Sequence, residues 1–163
     1  MAKGKVKIFI SHIFEEEEIA KAIKQELENC FQDRINVFLS ETIPFGEDWQ
    51  RNVNVNLKDA DLLLILFSPD SIERPWINIE AGYGIISGKK VIPMFCLGLN
   101  ESRLHYIYQR LKGIDIEMIA DVHRLLEENI AKDLLKLDGI ENVSKHMDSW
   151  KKSISSAIST YLN

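Results

Sequence analysis

Cysteine is scarce in this chain, and the two present, Cys30 and Cys96, stand far apart. They make neither a Cys-x-x-Cys pair nor a metal-ligand spacing, which excludes a disulfide scaffold, a zinc module and a dithiol redox centre. Free buried thiols in a reducing cytoplasm fit the count. Long apolar runs are missing as well: none approaches the ~20 residues of a membrane helix. The opening MAKGKVKIFISH has an apolar run too short for a secretory signal and no small-residue cleavage site. No membrane association is expected. A basic stripe with interleaved aromatics is absent, and the net charge of -5 repels polyanions, so no nucleic-acid partner is expected either. Nor is a metal: His105, His123 and His146 share no ligand spacing. No Gly-x-Gly-x-x-Gly follows a strand, so Gly82 and Gly84 read as room for close helix–sheet packing rather than a phosphate cradle. Proline and glycine nowhere cluster into a linker, and there is no repeat.

What remains describes one compact unit, residues 1–163. A chain of this length buries about 70% of its unfolded surface, enough for a core without staples. Compact β-branched and apolar runs predict strands at Lys5–Ser11, Ile35–Ser40, Asp61–Ser68 and Lys89–Cys96. The run DLLLILFS is the most continuous and belongs at the sheet centre. Between the strands the period changes. Ile19, Ala22, Ile23 and Leu27 recur at helical steps within Glu15–Cys30, whose acids crowd the first turn, where the helix dipole favours them. A second helix is expected over Glu47–Ala60, and a third from Pro75, suited to a first turn, to about Ser87. After Gly98 the pattern weakens to a short helix over Glu101–Gly113, an edge strand over Ile114–Ile119, a helix over Asp121–Leu137 and a closing helix over Lys145–Leu162. Strand–helix alternation with short loops implies parallel strands joined by right-handed crossovers, an α/β open doubly wound sheet flanked by helices.

In such sheets ligands bind beyond the carboxyl ends of the strands. Trp76 and Glu80, four apart, share one face of the third helix, which begins at the mouth of the third strand. An indole and a carboxylate opening into one crevice suit a flat heterocycle joined to a ribose. The ring stacks on Trp76, and the carboxylate accepts from sugar hydroxyls and stabilises an oxocarbenium-like centre. NAD⁺ meets that description as a substrate; no cofactor is needed. Other readings stand beside these: Trp76 as a core anchor and Glu80 as a solvated helical acid. Ser11 caps the following helix or touches ligand, and His12 is a pocket wall or a buried histidine bonded to backbone. Phe45, on a Pro-Gly loop, reads as a lid or interface residue. Trp49 reads as packing, Asn78 as solvated, and EEEE as a solvated helix start.

Taken in order, KIFISH with its acidic helix, VFLSETIPFGEDW, ADLLLILFSPDSIERPWINIEAGYGI and GKKVIPMF resemble a bacterial TIR (Toll/interleukin-1 receptor) domain over about residues 5–96. The resemblance implies a flavodoxin-like sheet of about five parallel strands. It also implies an NAD⁺ nucleosidase or ADP-ribosyl cyclase that releases nicotinamide and ADP-ribose or a cyclic isomer. By position it makes Glu80 the catalytic glutamate and Trp76 the aromatic one turn before it, with Ser11 and His12 as pocket positions. Phe45 and Gly46 fall in a BB-type loop, Thr42–Asp48, through which enzymatic members self-associate. Standalone bacterial members of Thoeris-type antiphage defence are similar; they signal to a separate nucleotide-sensing effector. One departure is Ile13–Phe14, where many bacterial relatives carry a polar residue. Two further readings stay open: a non-catalytic interaction module and a nucleoside-processing enzyme of related fold. A receiver domain is disfavoured, because no acidic pair follows the first strand.

Overall fold

The computed structural model describes residues 4–40, 55–105 and 108–163. Five parallel strands form one sheet: β1 (Val6–Ser11), β2 (Ile35–Leu39), β3 (Leu62–Phe67), β4 (Lys90–Phe95) and β5 (Ile114–Asp115), in the order β2-β1-β3-β4-β5. The apolar run sits at the centre, as its composition demands: all six residues of β3 are buried, between β1 (Ile8 opposite Leu62, Ser11 opposite Ile65) and β4 (Leu62 opposite Lys90). β5 pairs with β4 only at Met94 and Phe95, just past Pro93, which has no N–H to give a ladder.

Alternation along the strands builds two cores. Ile8, Ile10, Leu62, Leu64 and Leu66 face α1 (Glu17–Phe31), α3 (Ile119–Arg124, continuing as a π-helix over Leu125–Leu134) and α4 (Val143–Leu162). Phe9, Leu63, Ile65 and Phe67 face α2 (Pro75–Ile86) through Ile77 and Ala81, together with Leu57, Leu104 and Tyr108. Gly84 is where α2 comes closest to the sheet. A Cβ there would stand 2.5 Å from Leu63 Cδ2 and 2.8 Å from Val91 Cγ2, whereas one on Gly82 would meet nothing.

The expected elements need several adjustments. Of Glu47–Ala60, residues 55–59 are helical and 47–54 lie outside the described residues. The expected helix over Glu101–Gly113 is, in its described part, a 3-10 turn at Glu101–Arg103 capped by Asn100, followed by turns that tuck Tyr108 inward. The strand foreseen over Ile114–Ile119 shrinks to two residues, Ile114 and Asp115, paired with Met94 and Phe95. No helix among the described residues is long and apolar enough to cross a membrane.

Candidate functional site

The strand order places the change of winding direction between β1 and β3, where a crevice opens beyond the strands' carboxyl ends. Ser11 is the last residue of β1, in register with Ile65 of β3. Beyond β3, Ser68–Arg74 folds into hydrogen-bonded turns, with Ile72 N–H on the Ser68 carbonyl (3.2 Å) and Arg74 N–H on that of Ser71 (2.9 Å). Extended Arg74 then hands the chain to Pro75 at the first position of α2. Trp76 follows at the second position of the helix, and one turn later stands Glu80.

Glu80 is 1% exposed. Neither of its carboxyl oxygens has a hydrogen-bond partner among the described residues, and neither does the buried Ser11 Oγ. Burial pushes the Glu80 carboxyl up to about 8, and the Ser11 and Trp76 side chains oppose that only in part. Each buried polar group left in this condition costs about 1–3 kcal/mol. Two such groups converging on one spot are explained when something else, a ligand or water, completes them. Trp76 is half-buried and packs on the α2-side core, so its anchoring role and a ligand-facing role are compatible.

His12 goes elsewhere. Its ring Nδ1 is 3.0 Å from Ser40 Oγ, its N–H donates to the same oxygen (3.0 Å), and the Ser40 hydroxyl reaches the His12 carbonyl at 3.1 Å. With the hydroxyl proton on the carbonyl, Nδ1 is the donor to Oγ. Burial lowers the pKa of the imidazole, so the ring is held as the neutral form. It borders an open pocket of about 630 Å³, whose described lining includes Glu17, Lys21, Lys24 and Asn56 but not Ser11, Trp76 or Glu80. Phe45, Gly46 and the Thr42–Asp48 loop, with Trp49, lie outside the described residues.

Two sequence expectations are corrected. Asn78 is not solvated: its side-chain Nδ2 donates to the carbonyls of Ile72 and Arg74 at 3.1 Å each, and its backbone carbonyl accepts the Tyr108 hydroxyl at 2.9 Å. It ties α2 to the preceding turn and to the Tyr108 segment. The EEEE run is not uniformly solvated either. Glu16 is wholly buried and accepts a hydrogen bond from Ser68. The signal was present, because Glu16 falls in helical phase with Ile19, Ala20, Ile23 and Leu27, the buried face of α1. Among the described residues no cluster of His, Cys, Asp and Glu could hold a metal.

Residues 8–126 match the sequence family described as TIR domain. The chain belongs to the TIR domain family. The matched span contains Ser11, His12, Glu16, Trp76 and Glu80, and ends before most of the π-helix and all of α4. Among solved structures, it is similar to the TIR domain of the Toll-related receptor TRR-2 from the lower metazoan Hydra magnipapillata. The TM-score is 0.53 at 14% identity, covering 66% of this chain and 82% of that one. At that identity the likeness shows the fold. The TIR domains of the activated Roq1 resistosome, which directly recognizes the pathogen effector XopQ, align at 14% identity and a TM-score of 0.43, over 93% of this chain and 84% of that one. No curated protein sequence matches the chain significantly. TIR domains include both NAD⁺-cleaving enzymes and scaffolds.

Proposed function

We propose that this TIR domain cleaves NAD⁺ at the bond between nicotinamide and ribose, giving nicotinamide and ADP-ribose or a cyclic ADP-ribose isomer. The observation that carries the reading is the pair of buried polar groups with no hydrogen-bond partner of good geometry among the described residues, Glu80 and Ser11, beside Trp76 at the point where the sheet changes winding direction. Nicotinamide stacks on the indole, and the ribose hydroxyls supply the donors that the Glu80 oxygens lack. The C1′–N1 bond breaks with its electron pair passing to the nicotinamide nitrogen, and the carboxylate stabilises the cation left on the ribose. Water then attacks C1′ and loses a proton, giving ADP-ribose. An internal nucleophile of the adenosine half gives a cyclic product instead.

Glu80 is buried in this state, so substrate entry requires whatever covers it to move. Burial keeps the carboxyl protonated near neutral pH. The positive charge of the nicotinamide ring, once inside, favours the carboxylate the reaction needs. The reading extends to a cytoplasmic enzyme of bacterial antiphage defence that associates through Thr42–Asp48 and whose product acts on a separate effector. Nicotinamide release from NAD⁺ and mass analysis of the second product test the activity, with Glu80→Ala as control. Equal rates from the variant and the wild type would remove Glu80 from the mechanism.

A scaffold role is the second reading, and one observation favours it. Ile79, Tyr83 and Ile86 leave an apolar stripe on the outer side of α2, Ile86 being 89% exposed. Association that survives Glu80→Ala and fails with Ile86→Glu, without NAD⁺ turnover, would select that reading.

A further inference from the structure

A second buried carboxyl lies at the same rim of the sheet, on the α1 side. Glu16 ends the short 3-10 turn Phe14–Glu16 that follows Ser11 and His12, and it is 0% exposed. Its Oε1 accepts the hydroxyl of Ser68, while Oε2 is buried with no partner among the described residues. The same Ser68 oxygen accepts the backbone N–H groups of Asp70 and Ser71, each at 3.1 Å. Ser71 Oγ in turn accepts Ser68 N–H at 2.8 Å and donates to the Leu66 carbonyl at 3.2 Å. Ser68 is therefore the hub of the turn from which α2, with Trp76 and Glu80, is launched. We propose that Glu16 is a positioning residue for the site. By holding Ser68 it clamps the loop that follows Ser11 of β1 to the turn that sets where Glu80 stands.

Other contacts fit that role. A second strap, Glu15 to Arg74 at 2.9 Å, joins the same two loops at the surface, where both side chains are half-exposed and solvent screens the pair. From the far side α4 reaches in: the Tyr161 hydroxyl donates to Asp70. The buried link is the one that water does not weaken.

The clamp is also sensitive to protonation. Burial pushes the Glu16 carboxyl up to about 7; the Ser68 and Ser71 hydroxyls oppose this, and Asp70 and Glu15 reinforce it. The groups facing it are Ser68, Asp70 and Ser71 of the turn, Glu15 of its own loop (bound to Arg74), Tyr161 of α4 and Cys96 at the end of β4. None is a cation that contacts it. An ionised Glu16 would be a buried charge beside Asp70, and this outweighs the stronger bond the Ser68 hydroxyl makes to a carboxylate, so the turn is held best while Glu16 is neutral and loosens as pH rises through 7.

The proposal rests on the NAD⁺ reading only for what the positioning serves, and the test separates the two. Glu16→Ala, Glu16→Gln and Ser68→Ala are compared in the full chain. The Glu80 side-chain signal is followed by carbon-13 NMR from pH 5 to 10, assigned with Glu80→Gln, and kcat and KM for nicotinamide release are measured alongside. Loss of the clamp in Glu16→Ala or Ser68→Ala shifts the Glu80 midpoint by at least half a pH unit and lowers kcat tenfold or more, with KM within threefold. Glu16→Gln, neutral and of the same shape, restores both and removes the decline of kcat that begins near pH 7. A Glu80 midpoint unmoved in folded Glu16→Ala or Ser68→Ala overturns the proposal, as does a Gln variant no better than Ala. A wild type that releases no nicotinamide sinks the NAD⁺ reading alone, and the NMR titration still decides the clamp.

Discussion

Replacing Glu80 by glutamine removes one ionisation and almost nothing else in shape, which makes it a direct probe of the buried carboxyl. The folded-state pKa of Glu80 is raised from 4.5 to about 8. Between those values the folded chain holds a proton that the unfolded chain has released. By linkage, stability falls as pH rises through this window and levels off above it. At 1.36 kcal/mol per pKa unit the full penalty is about 5 kcal/mol at most, and water entry or local relaxation reduces it. Glutamine carries no such penalty. Urea denaturation of both proteins from pH 5 to 9 should give stabilities within about 1 kcal/mol of each other at pH 5. The variant should gain steadily up to about pH 8.5, ending at least 2 kcal/mol above the wild type, a large fraction of the total stability of an ordinary domain. Glu16 titrates in the same window, so both proteins are compared in a Glu16→Gln background, which removes its slope from the difference. Two curves that stay parallel across the range would refute the reasoning, because they would mean that Glu80 is solvated or already paired.

Three more outcomes follow from the packing and the site. Gly84→Ala should lose about 1–3 kcal/mol, since its methyl group collides with Leu63 and Val91, whereas Gly82→Ala should gain up to about 1 kcal/mol from helix propensity; thermal denaturation of the pair checks the contrast. Trp150→Phe removes the indole N–H that reaches the Ile116 carbonyl at 2.9 Å in the buried α4 contact. It should cost about 1–3 kcal/mol by urea titration. Trp76→Ala should raise the KM for NAD⁺ more than Trp76→Phe does, because the phenylalanine keeps a stacking face; equal KM values would leave Trp76 as packing alone.

Much of the fold was legible from local pattern. DLLLILFS announces a central strand because a strand covered on both faces has no reason to alternate, and β3 is that strand. Pro75 and the i, i+4 spacing put Trp76 and Glu80 on one face of one helix, a consequence of helical geometry that needs no partner. Weakly patterned regions fared worse. The segment around Tyr108 reads as helical, yet the burial of Tyr108 depends on Phe67 and Asn78, which lie far away in sequence.

The sequence by itself therefore determined what repeats within a few residues: the alternation of elements, the parallel sheet, the helix that carries Glu80, and the phase that turns Glu16 inward. Only the tertiary structure decided which distant groups meet. Ser11 comes to Glu80 because β1 lies against β3, and Glu16 is tolerable in the interior because Ser68 arrives from the end of that same strand. His12, the immediate neighbour of Ser11, is led away to Ser40 at the end of β2. Side-chain period is local, but a buried charge or hydroxyl is settled by its partner, and the partner is chosen by strand order.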